Sequence, residues 1–166
     1  MVTVNLRSFR QVVRHNKKRV RSWLSRLEKN PPREINTLAQ LADKEAWGKT
    51  DCLDCANCCK TMSPTYTGED MKRISAHLGM SVKAFKEKWL YKDKVGDWMN
   101  VKQPCQFLDL KTNMCDIYAV RPRDCAGFPH HKKSMVDYAH MYKQNIEFCP
   151  ATYRLVEHMQ ETARKK

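Results

Sequence analysis

The sequence predicts a mainly α fold with a small β-hairpin, opened by a basic N-terminal helix. Three observations point there. Apolar residues recur at helical spacing over most of the chain, one short stretch changes to β-like runs around a turn, and aliphatic content is too low for a large core. Leu, Ile, Val and Phe supply 31 of 166 residues, about 19%. With a net charge of +13, that proportion lies where chains are often disordered. Fifteen aromatic residues and eight cysteines stand against disorder. Something besides apolar packing is expected to organise the fold.

The first 33 residues carry ten basic side chains and one acid, Glu28, for a net charge of +9. Within them Leu6, Phe9, Val13, Val20, Leu24 and Leu27 recur at spacings of three, four and seven, which makes one apolar helical face among cations. Asn30-Pro31-Pro32 ends that helix, because a residue before proline is pushed out of the α region. A second helix is expected from Glu34 to about Trp47, with Ile35, Leu38, Leu41 and Ala42 inward. Residues 1–48 are thus a basic helical segment, and residues 49–166 the cysteine-bearing domain.

Thr50 to Lys60 reads as loop. Thr67-Gly68-Glu69-Asp70 has the form of a capping box, a hydroxyl with an acid three residues on. It opens a helix through Met71, Ile74 and Leu78 that stops at Gly79. Ser81 caps another through Phe85 and Trp89. From Trp98 to Tyr118 the runs become β-like, with Lys111-Thr112-Asn113 as the hairpin turn. Residues 134–146 and 151–164 return to helical spacing.

Several classes are excluded. No stretch approaches the roughly 18 apolar residues of a membrane span, so no transmembrane segment is expected. Neither GxGxxG nor GxxxxGK[ST] is present, which removes those nucleotide-binding loops. The first residues lack the pattern of a secretory leader, so a reducing cytoplasm is the expected location. There eight cysteines are not expected to form four disulfides, and metal binding is the natural use of the thiols.

Seven of the eight cysteines fall between positions 52 and 125. The first group is Cys52-Leu-Asp-Cys55-Ala-Asn-Cys58-Cys59. Thiols at i, i+3 and i+6 can curl a loop around one centre, as iron–sulfur loops do. Adjacent Cys58 and Cys59 cannot easily reach one metal from an extended loop. The second group is Cys105, Cys115, Cys125 and Cys149. Eight thiols make two four-ligand sites by count, or one cluster with spare cysteines. Thiolates select zinc or iron–sulfur over calcium and magnesium, and the triple CxxCxxC start leans to an iron–sulfur cluster, with zinc as the alternative. Either would supply folding energy to a small metal-organised domain. Arg121-Pro122-Arg123-Asp124-Cys125 sets two cations beside a thiol, where they could stabilise an anionic centre. His130 and His131 stay outside the ligand set.

Cys52-x2-Cys55-x2-Cys58-Cys59, Pro104-Cys105-Gln106-Phe107-Leu108, Cys115-Asp116-Ile117-Tyr118, Arg121-Pro122, Cys125, Phe128-Pro129 and Cys149-Pro150 together resemble the YkgJ-type cysteine-cluster family. The resemblance covers about residues 50–152. It implies a zinc- or iron-chelating domain, with a 4Fe-4S cluster or zinc as cofactor and Cys52, Cys55, Cys58, Cys59, Cys105, Cys115, Cys125 and Cys149 as ligands. The family's opening spacing is commonly CxxxCxxCC, and here it is CxxCxxCC. Relatives of the domain include a flagellin lysine N-methylase, so a metal-dependent, protein-modifying methyltransferase is one alternative function. No S-adenosylmethionine loop is found here, however, and no catalytic residue can be assigned.

The leading expectation is a small cytoplasmic metalloprotein with a structural, redox or sensing centre and an unidentified protein or redox partner. A second is a zinc-stabilised nucleic-acid-binding module that contacts phosphates through residues 5–29. It would show steep salt dependence, although no recognised reader motif is present. An anionic membrane surface is a third use of the same helix, weakened by its narrow apolar face.

Overall fold

In the computed structural model, residues 4–164 are described. The fold is mainly helical with one two-stranded antiparallel hairpin. The described residues pack as two compact units: 4–55 together with 129–164, and Ala56–Phe128.

The first unit contains helices α1 (Leu6–Lys29), α2 (Ile35–Gly48), α3 (Cys52–Cys55), α8 (Ala139–Asn145) and α9 (Pro150–Arg164). Asn5 starts α1 by accepting the Ser8 N–H at 3.0 Å, and the helix ends at Asn30 before the two prolines. Its buried residues are Phe9, Val13, Val20 and Leu24. They join Ile35, Ala42, Ala46, Met135, Tyr142, Ile146, Tyr153, Leu155, Val156 and Met159 in one core. The basic segment is therefore part of an apolar core larger than composition suggests. Its cations lie around the edge: Lys17 and Arg21 share Glu147, at 2.6 and 2.9 Å, and Arg19 reaches Gln160 at 2.8 Å. In α2, Leu38 packs against the core, but Leu41, expected inward, is 60% exposed. The inward arc of this helix is narrower than the sequence pattern allows.

The second unit contains α4 (Asn57–Thr61), α5 (Gly68–His77), α6 (Val82–Trp89), strands β1 (Leu90–Lys92) and β2 (Trp98–Asn100), a 3-10 turn (Tyr118–Val120) and α7 (Arg123–Gly127). Thr50 to Lys60, read as loop, instead holds the short helices α3 and α4. Ala56 between them takes a left-handed conformation, φ 43°. The paired strands also lie earlier than predicted, in register Leu90 with Asn100. Asp93 closes their turn by accepting the N–H groups of Val95 and Asp97. At the expected turn, Asp109 accepts the Lys111 N–H and Asn113 has φ 60°, yet the flanks make only an isolated bridge, Leu108 with Cys115. The unit's core is Tyr66, Met71, Ile74, Phe85, Leu90, Phe107 and Ile117.

The Thr67–Asp70 capping box forms with both bonds present. Asp70 is fully buried, and its carboxylate also takes Arg73 at 2.6 Å and the Arg123 N–H at 3.1 Å. Burial works to raise its pKa, but the Thr67, Arg73 and Arg123 donors outweigh that and hold it below the ordinary carboxylate value. A lowered pKa means stability that is complete above the unfolded-state value and lost as pH falls through the folded one. Asp70→Asn is therefore expected to destabilise the protein at neutral pH by about 1–3 kcal/mol, the scale of charged hydrogen bonds. The difference from wild type should shrink toward pH 3 in urea titrations. An unchanged difference across that range would remove the carboxylate from the account.

Candidate metal centre

All eight cysteines are present as thiols. In the second unit, short local bonds bring four of them near one another. The Cys105 N–H donates to the Cys59 carbonyl at 2.8 Å, which ties the loop after β2 to α4. The Leu108–Cys115 bridge carries Cys115 back toward Cys105, and Leu108 N–H donates to the Cys105 carbonyl at 3.0 Å. Cys125 sits in α7, whose N-terminal end is held by the contact of Arg123 N–H with Asp70. Cys58 joins Cys59 with sulfurs 3.9 Å apart, a contact that the helical turn of α4 permits and an extended loop would not.

The electrostatics report the same gathering. Burial, then the neighbouring charges of Cys105 and Cys59, pushes the Cys115 thiol up to about 11. Burial also raises Cys105, with Cys59 adding to it. Cys125 is pushed further up, first by burial and then by Cys59, Cys105 and Cys115. Cys59 runs the other way: hydrogen bonding from Cys58 brings it down to about 7.

A half-buried set of thiols that repel one another as anions is a poor home for free thiolates. It is a good one for a soft cation, which replaces repulsion by attraction and deprotonates a ligating thiol outright. The donor set therefore fits zinc or an iron–sulfur cluster, both of which thiolates select. Among the described residues, no group of three or more His, Cys, Asp or Glu side chains is placed so that it could hold a metal ion.

Two residues the sequence reading passed over sit at this cluster. Asn100, 4% exposed, donates to the Cys105 sulfur at 3.4 Å and accepts from the Tyr66 hydroxyl at 2.6 Å. Tyr66 feels the thiols directly: burial and then Cys105, Cys125 and Cys115 raise its pKa. A lone Asn and a lone Tyr carry no signal in sequence. The arginines flanking Pro122 turn elsewhere, contrary to expectation. Arg121 stacks on Tyr118 at 3.9 Å and donates to that residue's carbonyl, while Arg123 pairs with Glu69.

The other three cysteines belong to the first unit. Cys52 is exposed and Cys55 buried at the two ends of α3. Cys149, 7% exposed, immediately precedes Pro150, the first residue of α9. Burial raises its thiol to about 11, against hydrogen bonds from the Thr152 hydroxyl and from the Thr152 and Ala151 N–H groups, and Cys52 adds a further charge. Of the two histidines, His131 is buried with Asp43 at 2.5 Å and Thr152 at 2.8 Å. Both ring nitrogens of His131 are thus engaged within the first unit.

A helical fold that carries grouped thiols defines a class of small cysteine-rich metal-binding domains. Residues 51–150 match the CxxCxxCC family, described as "Putative zinc- or iron-chelating domain", and the chain belongs to that family. An uncharacterized protein of Methanocaldococcus jannaschii is 32% identical over 81 residues, 48% of this chain and 43% of that protein. The matched stretch thus spans well under half of that relative's length. No solved structure matches the chain. Among the described residues, no helix is long and apolar enough to cross a membrane.

Proposed function

We propose that this protein is a small cytoplasmic metalloprotein whose thiolates hold an iron–sulfur cluster, of the 4Fe-4S type, in a structural, redox or sensing role. The observation that carries the reading is the match of residues 51–150 to a zinc- or iron-chelating family, with Cys59, Cys105, Cys115 and Cys125 in one Ala56–Phe128 unit and the Cys105 N–H bonded to the Cys59 carbonyl. Four thiolates satisfy one cluster or one tetrahedral zinc. The CxxCxxC start favours iron. Cys52, Cys55, Cys58 and Cys149 are the further donors of the proposed ligand set. Asn100, by donating to the Cys105 sulfur, would tune that ligand, since hydrogen bonds to sulfur shift cluster potentials.

Anaerobic purification followed by iron, zinc and acid-labile sulfide analysis tests this. Brown protein that carries iron and sulfide in matching amounts is expected. Colourless protein with stoichiometric zinc would replace the cluster by zinc in the same thiols. Protein with neither metal would end the reading.

One observation favours a second, compatible role in nucleic-acid binding. The apolar face of α1 is spent in the core, which leaves Arg7, Arg10, Arg14 and Lys18 exposed on one ridge at spacings of three and four. Such a ridge suits phosphates better than a bilayer, because no apolar face remains to insert. Binding to RNA or DNA should weaken with salt by a log–log slope of about −0.7 to −0.9 per phosphate neutralised. Binding to anionic vesicles without nucleic-acid binding would reverse that preference.

A further inference from the structure

The Cys105 sulfur stands at the end of a directional hydrogen-bond chain that starts on a backbone carbonyl. The Trp89 carbonyl accepts from Gln106 Nε2 at 3.1 Å. Gln106 Nε2 also donates to Asn100 Oδ1 at 2.9 Å, and Asn100 Nδ2 donates to the Cys105 sulfur at 3.4 Å. The Tyr66 hydroxyl is a second donor to Asn100 Oδ1, 2.6 Å away. The proton count closes. The two Nε2 hydrogens of Gln106 serve two acceptors, the Asn100 oxygen takes two donors, and an Nδ2 hydrogen remains for sulfur. All these residues lie within the Ala56–Phe128 unit.

An asparagine amide can present either end to a sulfur, with opposite effects. Its oxygen repels a thiolate, whereas its N–H stabilises one, because a hydrogen bond to the charged form favours that form. Tyr66 does not settle the choice, since a hydroxyl donates or accepts by rotating. Gln106 does. With Asn100 turned over, Nδ2 would face Gln106 Nε2, donor against donor, unless Gln106 turned as well. A turned Gln106 would set Oε1 against the Trp89 carbonyl, acceptor against acceptor. That carbonyl cannot turn, and the Val101 N–H holds it at 3.1 Å. Asn100 is fixed in its own backbone too, where its N–H donates to Ser63 Oγ at 2.9 Å. The arrangement leaves Gln106 Oε1 buried without a hydrogen-bond partner. A buried unpaired acceptor calls for a gain elsewhere, and the gain here is a donor held on sulfur.

We infer that Gln106, anchored on the Trp89 carbonyl, is a positioning residue that fixes the Asn100 amide with its N–H toward Cys105 and so presents that sulfur to metal as a hydrogen-bonded thiolate. The inference deepens the proposed function and rests on it. It follows the general rule that partners behind a ligand orient it and tune the metal.

The test uses the full chain, reduced and without oxygen, loaded with cadmium-113 as a soft, spin-active probe of thiolate sites. A proton donated to a metal-bound sulfur shows scalar coupling to the cadmium nucleus through the hydrogen bond. Coupling between cadmium and an Asn100 Nδ2 proton is expected in the wild type. Gln106→Glu offers only acceptors, so it should turn the amide over and abolish the coupling. It should also weaken cadmium binding by about 10–100-fold, the usual cost of losing a partner behind a ligand. Gln106→Met removes both donors without adding charge, and the coupling should fall there as well. Tyr66→Phe removes a donor but not the anchor, so it should keep the coupling and bind within a few-fold of wild type. A purely structural role predicts the reverse order, because Tyr66 is a core residue and Gln106 is half-buried. If Gln106→Glu does not fold, Gln106→Met against Tyr66→Phe decides in its place. Bound cadmium without coupling to Asn100, or coupling that survives the Gln106 variants, would overturn the inference while metal binding itself stood. A wild-type chain that takes up no cadmium and is isolated without iron or zinc would end the proposed function, and the inference with it.

Discussion

Protein stripped of metal by a chelator, and kept reduced, is expected to lose the cooperative melt of its Ala56–Phe128 unit. Seven buried apolar residues serve that unit, and Cys105 and Cys115 themselves pack against them. Between its short elements run long irregular segments, chiefly 101–117, tied down by turns and one isolated bridge. A structural metal in small domains contributes about 10–16 kcal/mol at neutral pH. That exceeds the roughly 5–15 kcal/mol by which whole proteins are stable, so a thin core cannot replace it. The other unit, with fourteen buried core residues, should keep its transition. Calorimetry before and after chelation would therefore show two transitions reduced to one. An unchanged trace would mean that apolar packing suffices, and the thiols would lose their architectural role.

Leu24→Ala is expected to lower the stability of the other unit by about 2–5 kcal/mol, through lost burial and the cavity left behind. Leu24 is fully buried although it lies in the most basic stretch of the chain. For a unit of this size each kcal/mol shifts the melting midpoint by about 4–8 °C. Arg14→Ala, on the exposed ridge of the same helix, should stay within about 0.5 kcal/mol of wild type. A silent Leu24→Ala would mean that α1 is an appendage held for a partner rather than a wall of the core.

What the residues alone made legible was local. The 3.6-residue recurrence of Phe9, Val13, Val20 and Leu24, the Pro31-Pro32 stop and the Thr67–Asp70 box all appear where expected. Each depends on neighbours within one or two turns. The hairpin shows where that reading failed. The Asp109–Asn113 turn forms as predicted, but strand pairing went to Leu90–Lys92 and Trp98–Asn100. Three-residue strands are too short to show alternation, and the closing Asp93 side chain was the signal overlooked.

The cysteine order by itself was enough to point to the family whose model matches residues 51–150, one described as a zinc- or iron-chelating domain. Only the tertiary structure decided which cysteines share a unit, Cys58, Cys59, Cys105, Cys115 and Cys125 in one and Cys52, Cys55 and Cys149 in the other. Cys59, Cys105, Cys115 and Cys125 are dozens of residues apart in part, and their approach depends on bonds such as Cys105 N–H to the Cys59 carbonyl that no spacing encodes. It decided equally that His131 answers to Asp43 and Thr152, and that α1 is buried on one side. Local conformation follows from short-range sterics and hydrogen bonding, whereas the partner of a buried polar group is set by whichever distant segment packs beside it.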